Sequence, residues 1–234
     1  METKASLENI IALIVAGGSG QRFDQSLPKQ FHMLNNKTIL EHTIARFANH
    51  PLITNTLVVL PDNFIETYYT PLQQKYKLTN AITGGKKRQE SVFNGLKIAQ
   101  NFNPSHILIH DAARPLVSVD LISNICHKLL TCDATYPALP ISDTIRKIDG
   151  FQSQTIDRET HYIVQTPQAF VFEKIFSAHN SFPHLNFTDD VALAEMSHMK
   201  ICKIDGCKKN LKITTQHDFD LVEFFLTRPT NKAA

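Results

Sequence analysis

The sequence predicts an α/β protein, a mostly parallel twisted sheet with helices on both faces, and three observations predict it. Short apolar runs alternate with segments of helical period. Those runs are continuously apolar, as strands buried on both faces require. The rhythm breaks once, from Thr135, into several short strands in quick succession.

The first strand is Ile10 to Val15, followed by a helical pattern over Ile39 to Asn49. Thr56 to Leu60 is the next strand and Phe64 to Tyr76 the next helix. Gln89 to Gln100 has helical spacing, His106 to Ile109 is a short buried strand, and Leu121 to Leu130 is helical. Thr135 to Pro140, Thr144 to Ile148 and Gln154 to Ile156 follow, with an Asp149-Gly150 turn signal before the last of them. This stretch predicts a projecting β-arm at about 138–162. Beyond it come a strand at His161 to Gln165, helices near Val171 to Ala178 and Val191 to Ser197, strands at Lys200 to Ile204 and Leu211 to Ile213, and a closing helix from His217. No linker or repeat interrupts residues 1–234, so a single domain carrying the arm is expected.

The 24 Lys and Arg residues nearly balance the 22 Asp and Glu. Bulk charge therefore points to neither nucleic acid nor an anionic membrane as a partner. The longest apolar run, residues 10–16, is far short of the ~20 residues that cross a bilayer. The N-terminus shows no basic stretch followed by an apolar segment, so a cytoplasmic protein is expected. Cys126, Cys132, Cys202 and Cys207 lack the paired spacing of a zinc site and are expected to be buried free thiols.

The strongest chemical signal is Ala16-Gly17-Gly18-Ser19-Gly20-Gln21-Arg22, directly after the first strand, with Pro28-Lys29-Gln30 close behind. Open α/β sheets bind ligands outside the carboxyl ends of their strands. Glycines there let successive N–H groups point at phosphate oxygens. Arg22 and Lys29 add two cations that repel each other unless an anion sits between them. The spacing is not that of a Walker A loop. Phe23 stands where a dinucleotide fingerprint needs its third glycine, which excludes a Rossmann dehydrogenase.

A second signal, His110-Asp111-Ala112-Ala113-Arg114-Pro115, ends the strand at His106 to Ile109. Asp111 there suits Mg²⁺ held against a triphosphate, and Arg114 suits a second phosphate. The plainer reading is that Asp111 caps a turn or pairs with Arg114. His110 reads as a packing or hydrogen-bonding residue. A third signal is Gly84-Gly85-Lys86-Lys87-Arg88-Gln89-Glu90-Ser91, where glycines admit a flat base edge and Ser91 can bond to it. Asp143-Thr144, Asp157-Arg158, Gln165-Thr166-Pro167-Gln168 and Thr188-Asp189-Asp190 are weaker, the last being a helix-cap signature. Lys212, in a β-rich run, reads by itself as a solvated lysine.

Taken in this order, AGGSGQRF, PKQF, ILEHTI, GGKKRQESV, HDAARP, SDTIRK, IDRE, QTPQAF, FTDDVALAE and NLKITTQHDFDL resemble the 2-C-methyl-D-erythritol 4-phosphate cytidylyltransferases of non-mevalonate isoprenoid biosynthesis. The likeness runs from about Ile10 to Thr227 and implies a Rossmann-like fold whose β-arm embraces a homodimer partner. It implies that Ala16, Gly17, Gly18 and Gly20 wrap the CTP triphosphate, that Gly85 and Ser91 recognise cytosine, and that Asp111, with Ala112 beside it, meets the nucleotide and holds Mg²⁺. Arg22, Lys29, Arg158 and Lys212 are the implied catalytic cations. Arg114, Asp143, Thr144, Thr166 and Thr188 are the implied contacts to methylerythritol phosphate, with Thr144, Arg158 and Thr188 reaching across the dimer. Ribitol 5-phosphate cytidylyltransferases share the glycine loop, PKQF, QTPQ and the KITT region. The alanine pair of HDAARP, Asp157-Arg158 and TDDVALAE look more like the methylerythritol enzymes. A catalytically silent nucleotide-binding module is the alternative of another class.

Overall fold

The computed structural model describes residues 7–17, 27–183, 185 and 187–227. The chain enters the sheet at β1 (Ile10–Val15). A two-residue ribbon, β2 (Met33–Leu34) with β3 (Lys37–Thr38), then leads into α1 (Ile39–Ala48) and β4 (Ile53–Leu60). A helical stretch ending in α2 (Thr70–Tyr76) carries it to β5 (Ile82–Thr83), α3 (Arg88–Ala99), β6 (His106–Asp111) and α4 (Val119–Lys128). Next come β7 (Ala134–Pro140), the hairpin β8 (Ile145–Asp149) and β9 (Gln152–Ile156), β10 (Tyr162–Val164), β11 (Gln168–Val171) and α5 (Phe172–Ser181). The chain closes with α6 (Asp190–Met196), β12 (Ile201–Asp205) and α7 (Gln216–Thr227).

The main sheet runs β10-β7-β11-β6-β1-β4-β5, with β12 also on β7. β1 pairs in parallel with β4 on one side and β6 on the other. β11 is antiparallel to both β6 and β7, and β10 is antiparallel to β7. β12 is parallel to β7, so the sheet is parallel except for the β10 and β11 stretch. Strand β11 was not expected. Its four residues, Gln-Ala-Phe-Val, are too short to show a period, and the sequence reading began a helix at Val171. That residue ends β11, and α5 starts at Phe172.

Burial on both faces follows the alternation along β1. Ile10, Ala12 and Ile14 pack into the cluster that holds α1, α2 and α4, while Ile11, Leu13 and Val15 pack into the one that holds α3, α5 and α6. Helix α1 forms because Thr38 caps it, accepting from Glu41 N at 3.0 Å, and because Ile39, Leu40, Ile44 and Phe47 share its buried stripe. Helix α3 approaches β1 closely at Gly95, where an added Cβ would lie 2.5 Å from Leu13 Cδ1.

The β8–β9 hairpin stands apart as its own two-stranded sheet, turning at Gly150 with φ +57°, which favours glycine. Ile148 and Phe151 at its tip are exposed, as are Ile163 and Val164 on β10. Two expectations are corrected. Leu211 to Ile213 forms no strand: it is an extended segment held to the sheet by Ile213 N donating to Ala113 O at 2.9 Å. Cys132 and Cys202 are not free thiols but a disulfide, with Cα atoms 6.1 Å apart. Parallel pairing of β12 with β7 brings these two together, a proximity no local spacing announces. Cys126 and Cys207 are free. Among the described residues no helix is long and apolar enough to cross a membrane.

Candidate active site

The strand order places β1 between neighbours reached in opposite directions, so a crevice opens outside the carboxyl ends of β1 and β6. Register makes these ends level, with Val15 opposite both Val59 and Asp111. Backbone bonds continue the ladder into the loops. Ala16 N donates to Val59 O at 2.7 Å, Ala112 N to Val15 O at 3.0 Å, and Gly84 N to Leu60 O at 3.0 Å.

Two of the sequence-predicted segments, the glycine loop after β1 and the Gly84–Ser91 stretch, meet at Ser91 in the first turn of α3. Its buried Oγ accepts from Gly85 N at 3.0 Å and donates to Lys87 O at 3.1 Å. A Cβ on Gly17 would lie 3.0 Å from that oxygen, and one on Gly85 only 2.3 Å from Glu90 Cβ. Glycine at both positions is thus a matter of close approach, and Ser91 organises the loop as well as facing it. Gly18, Gly20 and Arg22 lie outside the described residues. Lys29 opens a single 3₁₀ turn, Lys29–Phe31, tied to the glycine loop by Gln30 Nε2 donating to Ala16 O at 2.5 Å. Phe31 anchors that turn beneath Phe64 and Tyr68, with ring centroids 4.5 Å away in each case.

At the end of β6 the His110–Arg114 turn is locked by a relay. Asp111 N donates to Thr166 Oγ1 at 3.1 Å, and Thr166 Oγ1 in turn donates to His110 Nδ1 at 3.1 Å. His110 Nε2 donates to Arg114 O at 3.1 Å, the only direction a carbonyl allows. Burial pushes the His110 imidazole down to about 4, so it is neutral at physiological pH, the structural role expected of it. Thr43 Oγ1 on α1 donates to Ala112 O at 2.8 Å, fixing the same turn from the other layer.

Asp111 is the electrostatic centre. Lys212 Nζ lies 2.7 Å from its Oδ2 and Arg88 Nε 3.4 Å from its Oδ1. Desolvation raises the affinity of this carboxyl for a proton. The charges of Arg88 and Lys212 outweigh it and hold the group well below the usual carboxylate range. The alternative pairing of Asp111 with Arg114 is not formed. Arg114 Nη1 donates instead to Asn210 O at 2.8 Å, and its buried Nε has no hydrogen-bond partner among the described residues.

Lys212 is not the solvated lysine that its local sequence suggests. Gln165 binds both ends of the loop before it, donating to Cys207 O at 3.0 Å and Asn210 O at 3.2 Å, while Asn210 Nδ2 donates to Thr166 O at 2.8 Å. Beyond it, Asp218 accepts from the backbone N–H groups of Thr214 and Thr215 at 2.9 and 2.8 Å. Lys212 is therefore delivered by a braced segment rather than by a strand.

Asp143, Thr144 and Arg158 sit apart from this cluster on the exposed arm, where Arg158 Nη1 donates to Ser142 O. Thr188 is exposed, and the cap of α6 is Asp189, which accepts from Ala192 N at 3.1 Å. Two residues to which the sequence reading gave no role of their own belong to the same network. Arg88 Nη1 reaches Asp190 Oδ2 at 2.7 Å, and Asp190 is buried. The only sequence signal for them was position inside the GGKKRQESV and FTDDVALAE stretches.

A glycine-lined crevice at the switch point of an open α/β sheet, with fixed cations closing on one carboxylate, is the build of a nucleotide-binding transferase. The family model described as 2-C-methyl-D-erythritol 4-phosphate cytidylyltransferase matches residues 10–228, and the chain belongs to that family. It is similar to the enzyme of that name from Neorickettsia sennetsu, 37% identical over 228 residues that cover 94% of this chain and 97% of the relative. It is also 36% identical over 226 residues to the bifunctional enzyme IspD/IspF of Bartonella tribocorum, covering 94% of this chain and 57% of that protein. The chain thus spans little more than half the length of the bifunctional relatives it matches. Among solved structures, the 4-diphosphocytidyl-2C-methyl-D-erythritol synthase of Anaerococcus prevotii superposes with a TM-score of 0.83 at 26% identity, covering 95% of this chain and 97% of the other.

Proposed function

We propose that the chain transfers the cytidylyl group of CTP to the phosphate of 2-C-methyl-D-erythritol 4-phosphate, giving 4-diphosphocytidyl-2-C-methyl-D-erythritol and pyrophosphate. The observation that carries this reading, beside family membership, is the meeting of Lys212 and Asp111 at the carboxyl end of β6, level with the start of the glycine loop. A bond forms between an acceptor phosphate oxygen and the α-phosphorus as the bond to the β-phosphate oxygen breaks. The nucleophile is already ionised at neutral pH, so no general base is needed. That suits a site where His110 is buried and occupied on both ring nitrogens.

The obstacle is charge. At ~4 Å and an effective dielectric near 20, each like-charge pair between dianion and triphosphate costs roughly 4 kcal/mol. Lys29 and Lys212, with Arg22 from the glycine loop, are proposed to offset that repulsion at the reacting phosphates. Arg114 and Thr166 hold the acceptor phosphate in this reading, Arg114 Nε being the unpaired donor. Ala16, Gly17, Gly18, Gly20 and Ala112 line the triphosphate, and Gly85 and Ser91 face cytosine.

Among the described residues no three His, Cys, Asp or Glu side chains gather as ligands. Asp111 alone fits Mg²⁺, which takes one or two carboxylates and completes its shell with phosphate oxygens and water. Bound there with CTP, the metal would neutralise charge developing on the phosphates. The cytoplasmic setting and the homodimer belong to the same proposal. The exposed arm, with apolar Ile148 and Phe151 at its tip, supports a partner subunit whose site receives Thr144 and Arg158, with Thr188 reaching across as well.

The test is magnesium-dependent pyrophosphate release from CTP with methylerythritol 4-phosphate and ribitol 5-phosphate offered in parallel. Release with the first alone is expected. Release with the second alone moves the chain to the polyol branch, and silence with both refutes transferase activity.

A further inference from the structure

Arg88 lies between two carboxylates and serves them unequally. Its Nη1 is 2.7 Å from Asp190 Oδ2, whereas its Nε is 3.4 Å from Asp111 Oδ1. Asp190 is held to receive it. Its backbone N–H donates at 3.0 Å to Oε1 of Gln168, a fully buried side chain on β11, and its side chain is 3% exposed. The His179 imidazole Nε2 lies 3.7 Å from its other oxygen. Asp111 keeps one well-placed cation, the Lys212 ammonium, which is 42% exposed and sits on a flexible stem.

We infer that Asp190 is a positioning residue for the metal site of the proposed reaction, taking the shorter contact of the Arg88 guanidinium so that Arg88 gives Asp111 only one long hydrogen bond, at 3.4 Å, which a divalent cation can replace. An arginine cannot lose its proton, and its planar fork seeks a bidentate carboxylate. Freed from Asp190, Arg88 would turn both donors onto Asp111 and occupy the oxygens a metal needs. Lys212 is the displaceable partner, a single exposed charge that can move to a phosphate when a metal takes its place. The inference rests on the reading of Asp111 as metal ligand.

The test is calorimetric binding of CTP, with and without Mn²⁺ as the probe metal and without acceptor, to the intact protein and to Asp190→Asn, which keeps the side-chain shape. For the variant we expect Mn²⁺-dependent CTP binding to weaken by about tenfold, the usual scale for losing an outer-shell partner. Metal-free CTP binding should hold or tighten, because the site gains one positive charge. A merely structural lesion weakens both. Parallel losses, or no change in either, overturn the inference. Should Asp190→Asn fail to fold, the paired variant Arg88→Gln/Asp190→Asn removes both members of the buried pair and should respond to Mn²⁺ as the unaltered protein does; a lost response overturns it equally. An unaltered protein that binds no CTP would instead refute the functional reading and this inference with it.

Discussion

The Lys212 ammonium lies 2.7 Å from Asp111 Oδ2, and it arrives there on a segment with no regular secondary structure. Gln165 and Asn210 brace that segment from one side and Asp218 from the other. The lysine end of the pair is 42% exposed and the buried Asp111 still has Arg88 beside it when Lys212 is removed, so the pair's worth to stability is small. Its proposed worth to catalysis is a preorganised charge. Lys212→Ala should lower kcat by about 10²-fold with the melting temperature nearly unchanged. Steady-state kinetics beside a thermal melt checks this, and near-normal turnover removes Lys212 from the catalytic cations.

Lys29 and Arg158 belong to different parts of the molecule, the turn below the glycine loop and the exposed arm. Lys29→Ala should lower kcat by about 10²- to 10³-fold. If the arm serves a second subunit, mixed dimers of Lys29→Ala with Arg158→Ala should regain activity that neither variant has alone. Proven mixed dimers without any recovery would argue for sites built within one chain.

Gly85 leaves no room for a side chain, since its Cβ would fall 2.3 Å from Glu90 Cβ on the first turn of α3. Gly85→Ala should push the loop off Ser91 and break the bond from its own N–H. Losing one such bond is worth about 1 kcal/mol. The KM for CTP should rise by roughly five- to tenfold while kcat changes less, the mark of lost ground-state binding. A kcat loss at unaltered KM would contradict a purely nucleotide-holding role for this loop.

His110 gives the fold a defined acid sensitivity. Its folded value of about 4 lies below the 6.5 of a free imidazole, so between these the unfolded chain binds more protons. Stability from the neutral ring is fully present above pH 6.5 and is lost as pH falls toward 4, on the order of 3 kcal/mol at the limit. His42, His50 and His106 are shifted down by burial too, so the wild-type profile alone is composite. Denaturant melts from pH 7 to 4.5 should show a shallower acid decline for His110→Gln than for the wild-type chain. Equal slopes would place the acid sensitivity elsewhere.

Much of the fold was legible in the chain because its central strands are apolar on both faces and some of its helices carry their own caps. β1 and β6 emerge as expected, and Thr38 and Ser118 cap α1 and α4 with side-chain oxygens that local sequence supplies. Gly17 and Gly85 were legible for a similar reason, since close backbone approach tolerates little else. β11 was not, because four residues show no period and its antiparallel place depends on β6 and β7 being there first.

By itself the sequence determined the α/β class, the arm with its Gly150 turn, and the charged and glycine-bearing residues proposed for the reaction. These are properties of single residues and short spacings, set by backbone sterics and side-chain chemistry. Only the tertiary structure decided which charges meet. Asp111 pairs with Arg88 and Lys212 and not with the nearby Arg114, and Cys132, just before β7, joins Cys202 on the parallel neighbour β12. Coulomb attraction and disulfide geometry act over a few ångströms of space, and that proximity exists only once β12 has docked on β7 and the loop beyond it has carried Lys212 back to the end of β6.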